Sequence, residues 1–164
     1  MQSNWEKSVE FVIEQEGEYT NDSNDPGGET KWGISKKSYP TLDIKNLTQD
    51  QAKAIYESDY WNLVNGDELP NGLDLAVFDM AVNQGVGTAI KLLQKHLGTK
   101  EDGVFGPITL AKAKAITQRQ ILVFLARRLE AYMTLMTKNT KLLSYAINWF
   151  YRVVALANKI QLEF

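Results

Sequence analysis

The apolar residues near the start of the chain, Trp5, Val9, Val12 and Ile13, recur at helical spacing. Glu16 continues that stripe, three residues after Ile13 and four after Val12. Glu6, Lys7, Glu10 and Glu14 take the opposite side and Gly17 offers a left-handed stop, so the pattern predicts a helix over 3–16. The next stretch is rich in Gly, Asn, Ser, Asp and Pro, with a strong turn at Asp25-Pro26-Gly27-Gly28. It reads as a loop or a small hairpin near 19–34. Thr48 and Gln51 form a capping box ahead of a helix carrying Ala52, Ile55, Tyr56, Tyr60 and Trp61. After Pro70 and Asn71-Gly72, residues 72–84 are apolar nearly all round, the mark of a helix in the middle of a molecule. Asp79 and Asn83, four apart, form a polar stripe on it.

Further on, Ile90, Leu92, Leu93 and Leu97 define a helix that starts at Gly87 and stops at Gly98. The turn Asp102-Gly103-Val104-Phe105-Gly106-Pro107 leads into another, with Pro107 in its first turn. Residues 118–137 are amphipathic, with Ile121, Leu122, Phe124, Leu125, Leu129, Tyr132 and Met136 facing the core. Arg127, Arg128 and Glu130 are expected on or near its rim. The last helix, 142–162, is strongly apolar, yet Ser144, Asn148 and Arg152 recur every four residues. It lacks the unbroken apolar run of about 18 that spans a bilayer, so no stable membrane insertion is expected.

Composition narrows the chemistry. A chain of 164 residues with 44% hydrophobic content suits one compact soluble unit. With no cysteine and a single histidine, His96, it has no thiol nucleophile, no thiolate metal site and no His-rich zinc site. Carboxylates are left as the reactive groups, and no metal or other cofactor is expected. Residues 1–80 hold 16 acidic against 6 basic side chains, a balance of −10, whereas 81–164 hold 4 against 12, a balance of +8. The basic half either attracts an anionic polymer or simply complements the acidic half. No nucleic-acid motif accompanies it, and the pI of about 5.5 argues against such a partner. The N-terminus interleaves charged and apolar residues and has no signal-type apolar segment.

A carboxyl that extends an apolar stripe is expected to be partly desolvated, and a helix C-terminus also disfavours negative charge. Glu16 therefore has the setting of a general acid. Asp22, Asp25 and Thr30 follow in the loop, which can fold a second carboxylate and a hydroxyl over the helix end. An acid for the leaving oxygen and a carboxylate for the water or the cationic sugar is the set that glycosidic cleavage requires.

The string Glu16-Gly17-x-Tyr19, then Asn24-Asp25-Pro26-Gly27-Gly28-x-Thr30-Lys31-Trp32-Gly33-Ile34, resembles the opening of glycoside hydrolase family 108. Phe78-Asp79-x-Ala81-Val82-Asn83-x-Gly85 matches another of its patterns in full. Glu18 departs from the family's second glycine, and Asn148 and Tyr151 replace the glycine and asparagine of its Gly-Trp-x-Asn-Arg ending. The resemblance implies an all-α, lysozyme-like fold of two helical lobes with a central buried helix. It implies an N-acetylmuramidase acting on bacterial peptidoglycan, with Glu16 as acid and with Asp25 and Thr30 completing the catalytic set. Tyr19, Asp22, Trp32, Tyr60, Trp61, Asp79, Asn83 and Gln84 are the expected sugar contacts. Asp22 is also the alternative second carboxylate. Residues 93–113 resemble peptidoglycan-binding repeats, which suggests a catalytic lobe over 1–88 and a wall-binding-like lobe over 89–164, packed as one monomeric unit. The role implied is that of an endolysin made in the cytoplasm and reaching the wall through a pore or another non-standard route. A lytic transglycosylase, or a non-catalytic wall-binding or secretion-associated protein, is the alternative.

Overall fold

The computed structural model describes residues 4–17, 19–21 and 28–163. The described chain runs α1 (Trp5–Glu16), β1 (Thr30–Lys31), β2 (Ile34–Ser35), α2 (Gln49–Tyr56), α3 (Leu73–Gln84), α4 (Val86–Leu97), α5 (Pro107–Ala113), α6 (Gln118–Lys138) and α7 (Ala146–Glu163). The fold is all-α, with one two-stranded ribbon among the described residues.

α3 is its axis. Every residue from Leu73 to Ala81 is buried, as expected of a helix without a polar face. It packs against α1, α4 and α6, and against the short helical turns over 57–68. α3 passes into α4 through a single corner at Gly85, whose φ of 88° is in the left-handed region open to glycine. Two helices start on capping boxes, which are local sequence effects. Thr48 Oγ1 accepts from the Gln51 amide at 3.2 Å while Gln51 Oε1 accepts from Thr48 N at 2.9 Å. Thr117 and Gln120 repeat the box at the start of α6.

Two expectations about this part of the molecule are corrected. α2 does not run on to Trp61 as regular helix: it widens into a π-helical turn over Glu57–Trp61. That turn sends the Trp61 indole inward, where it is 1% exposed and packed edge-on against Phe78. Its Nε1 donates to Asp67 at 3.1 Å, so the ring is core and offers no face to a sugar. The second correction is Arg128, expected at the rim of α6 and found fully buried on its inner face.

The Asp102–Thr109 turn has an internal explanation. The buried Gln94 amide donates to Asp102 and to the Val104 carbonyl, and accepts from Gly103 N. The described helices include none long and apolar enough to cross a membrane.

The start of α3 carries a titrating group. Asp74 is buried, accepts from Gly72 N, Leu75 N and Asn4 Nδ2, and so ties the entry of α1 to α3. Burial pushes its carboxyl up to about 6, against the pull of those donors. A raised folded pKa means its stabilising contribution is complete below the unfolded value of about 3.9 and lost as pH rises through 6. The stability of the wild type relative to Asp74→Asn is expected to fall by about 2 kcal/mol between pH 4 and pH 7. Urea unfolding of both proteins across that range measures it.

Candidate active site

Glu16 is the last residue of α1, and Gly17 (φ 79°) turns the chain away from it. Its side chain is 24% exposed. The chain then doubles back: Thr20 and Thr30 exchange backbone bonds of 2.8 and 2.9 Å, and β1 pairs with β2 around Trp32-Gly33. Trp32 and Gly33 both have positive φ, 53° and 76°, the signature of a type I′ hairpin turn. For a tryptophan this conformation is strained, and the surroundings must hold it. They do so through Tyr56, whose hydroxyl donates to the Trp32 carbonyl at 2.8 Å. The turn also lies directly on the acid. A Cβ placed on Gly33 would stand 2.9 Å from Glu16 Cγ and 2.4 Å from the Tyr56 hydroxyl, so only glycine fits.

The other support of Glu16 is ionic. Arg152 Nη1, from α7, donates to Glu16 Oε1 at 2.6 Å. The same guanidinium bonds Asp79 Oδ1 through Nε at 2.9 Å and lies 2.8 Å from it through Nη2. Asp79 Oδ2 takes Arg128 Nη1 at 2.5 Å. Arg128 Nε and Nη2 both donate to the Tyr132 hydroxyl, at 3.1 and 2.9 Å, and Tyr132 donates to Asn83 Oδ1 at 2.6 Å. One continuous polar chain thus joins α1, α7, α3 and α6, and its two cations balance its two carboxylates.

Burial pushes the Asp79 carboxyl up, but the guanidiniums of Arg128 and Arg152 outweigh it and hold it below the usual range. For Arg152 burial opposes the charge, while Asp79 and Glu16 more than restore it and raise its pKa. The group beside Glu16 is therefore a permanent cation, where the sequence pattern led only to partial desolvation.

The predicted site residues are not all brought together. Glu16, Trp32 and the base of the hairpin are. Thr30 sits at that base, half-buried, with its hydroxyl donating to the Gly28 carbonyl at 3.1 Å. Tyr19 is exposed on the same ribbon and donates to Glu29 at 2.9 Å. Asp22 and Asp25 lie outside the described residues. Tyr60 is half-buried beside Tyr56, their rings 5.8 Å apart. Asn83 borders an open pocket. Gln84 is half-buried, and its amide oxygen and nitrogen find no partner among the described residues. Asp79, like Trp61, is corrected: at 0% exposure and held by two arginines, it cannot reach a sugar.

Sequence reasoning missed Arg152 and Arg128. Arg128 had a signal, since Ile121, Leu125, Arg128 and Tyr132 form one core-facing row at spacings of four, three and four. A cation in such a row calls for a buried acid, and Asp79 on the most apolar helix calls for a buried cation.

The family model for glycosyl hydrolase 108 matches residues 9–85, which take in Glu16, the ribbon and all of α3. The solved structure of Brucella abortus SagA is similar over the full fold, with a TM-score of 0.82 and 30% identity, covering 96% of this chain and 94% of that one. A search of curated proteins finds no match. The chain belongs to the glycosyl hydrolase 108 family, and is a peptidoglycan hydrolase of the lysozyme-like kind.

Neutralising Asp79 is expected to strand two buried guanidiniums. Asp79→Asn should lose about 3–5 kcal/mol of stability at pH 7, read from urea unfolding. Because the folded pKa of Asp79 is depressed, the stabilisation it gives is complete above the unfolded value of about 3.9 and is lost as pH falls through the folded one. The gap between wild type and variant should accordingly narrow only in acid.

Proposed function

We propose that the chain is an N-acetylmuramidase, cleaving the β-1,4 bond between N-acetylmuramic acid and N-acetylglucosamine, with Glu16 as the general acid. One observation carries this reading. Arg152 bonds Oε1 of Glu16, while Oε2 has no hydrogen-bond partner among the described residues and is the oxygen left to meet a substrate. In the reaction the Glu16 proton passes to the glycosidic oxygen, the bond from that oxygen to the anomeric carbon breaks, and the sugar develops oxocarbenium character. Water then adds to the anomeric carbon and gives up a proton. Asp25, or Asp22 in its place, takes that proton or steadies the cation, and Thr30 orients the water or its loop. As the bond breaks, Glu16 becomes a carboxylate beside Arg152, which stabilises the charge where it appears. Tyr19, Trp32 and Tyr60 line the approach of the glycan.

The supports for this reading are the family, the solved relative and the two-sided fixing of Glu16. In the biological setting we infer, the enzyme is an endolysin acting as a monomer. It is made in the cytoplasm of a bacterium and admitted to the wall through a pore or another non-standard route.

Glu16→Gln preserves shape and removes the proton. Its activity on purified sacculi is expected to fall at least about 100-fold. Wild-type digests should carry free reducing ends by mass spectrometry. Anhydro-muramic ends would mean a lytic transglycosylase instead, and binding to sacculi without loss of turbidity would mean a wall-binding protein.

A further inference from the structure

α7 is apolar on two opposite faces, and only one of them is used inside the fold. Val153, Leu156 and Ile160 are buried, together with Arg152. The other face carries Ile147, Phe150, Tyr151 and Val154 at helical spacing, and Leu143 precedes them by four residues in the short helical turn Thr140–Tyr145. All five are exposed, Ile147 at 66% and Tyr151 at 71%. Single exposed apolar residues are ordinary, but nine of the fourteen large ones exposed among the described residues lie within 133–162. That concentration marks a contact surface.

Two open apolar grooves lie on this side of the molecule. One, of about 260 Å³, is lined by Ile147, Phe150, Tyr151 and Val154. The other, of about 290 Å³, is at the corner between α6 and α7, with Met133, Met136 and Leu143 in its wall. Neither lining contains a charged side chain.

The charges around these grooves have one sign. Residues 131–162 contain no Asp or Glu, against Lys138, Lys141, Arg152 and Lys159. Arg152 is engaged with Asp79 and Glu16, and Lys159 with Glu163. Lys138 and Lys141 are exposed at the α6–α7 corner and have no ion pair among the described residues. A second copy laid on the same face would set these lysines against a stretch with no acid of its own. An anionic bilayer surface meets both features, with headgroup charge for the lysines and an acyl boundary for the apolar side chains. Tyrosine suits that depth, since its ring enters the boundary while its hydroxyl stays among the headgroups, and Tyr145 and Tyr151 are both exposed here. α7 is not long and apolar enough to cross a membrane, so it would lie in the plane of the interface.

We propose that the outward face of α7, with the corner at Lys138 and Lys141, docks the protein on a bilayer surface rich in anionic lipid. This docking does not depend on the chemistry assigned to Glu16.

The test is co-sedimentation of the full chain with extruded vesicles. Vesicles of phosphatidylglycerol and phosphatidylethanolamine are expected to bind it at least about tenfold more tightly than vesicles of phosphatidylcholine alone. Raising the salt to about 0.5 M should weaken that binding, because the lysines are then screened. Lys138→Gln combined with Lys141→Gln should weaken it about tenfold. Leu143→Gln combined with Ile147→Gln should also weaken it at least about tenfold, with thermal unfolding and digestion of sacculi as in the wild type. No binding to the anionic vesicles, equal binding to the two compositions, or binding unchanged by Leu143→Gln with Ile147→Gln would overturn the docking surface. A chain that ignores vesicles and doubles its mass in light scattering, reverting to a monomer with Ile147→Gln, would assign the face to a second copy instead. Failure to bind vesicles at monomeric mass would overturn the choice of lipid and leave the face to a protein partner.

Discussion

The carboxylate of Asp79, wholly buried in the central helix, governs how the rest of this molecule is put together. An ion of that kind is tolerated only where opposite charge and well-aligned donors meet it. Two guanidiniums do so, one from α6 and one from α7, and both helices must therefore approach α3 at fixed depth and rotation. Arg152 has donors to spare and extends the same contact outward to Glu16 on α1. A lysine, with a point charge on a flexible stem, would not hold two carboxylates in this planar fork. Buried ion pairs contribute little net stability compared with apolar packing of the same volume. Their yield here is geometry: the acid at the mouth of the site is registered against the centre of the core.

Glu16 thus has two supports of different physical kind. One is electrostatic, from Arg152, and acts on a single oxygen. The other is steric, from the Trp32-Gly33 turn lying on its aliphatic stem. The turn is itself held by the Tyr56 hydroxyl, and Tyr56 belongs to α2, packed in the same core as Phe78 of α3. Strain at Trp32 is sustained because the core on one side and the acid on the other leave the turn nowhere else to go. Pinning one oxygen and crowding the stem leaves the second oxygen as the part of the side chain not yet committed.

Much of this was legible in the chain. The buried character of α3 followed from apolar residues on all sides, and the end of α1 from the meeting of a stripe with Gly17. Glu16 was identifiable because a carboxyl on a core-facing stripe is anomalous. The same argument, applied to Arg128 in its row, would have revealed the second anomaly, but long cationic side chains at core edges usually reach out to water. Asp79 was read as facing a cleft because spacing places a residue on a side of a helix without saying what lies there. Trp61 was misplaced for a related reason: a π turn rotates everything after it, and period-3.6 reading has no means of seeing the extra residue. Pairings across 136 positions, as between Glu16 and Arg152, leave no local trace at all.

The chain of bonds does not end at the acid. From Glu16 it passes through Arg152, Asp79, Arg128 and Tyr132 to Asn83, so the carboxyl at one end and the amide at the other share a framework. At the Asn83 end the partners are determined in turn, since both lone pairs of the Tyr132 hydroxyl take Arg128 N–H groups and its proton goes to Asn83 Oδ1. Reorienting Asn83 would require Tyr132 to turn, and Tyr132 cannot turn without exposing Arg128 N–H groups to an apolar core. The cost of that unmade bonding is what keeps the amide pointed outward in the absence of sugar. The orientation of that amide is thus completed in folding, before anything enters the pocket it borders.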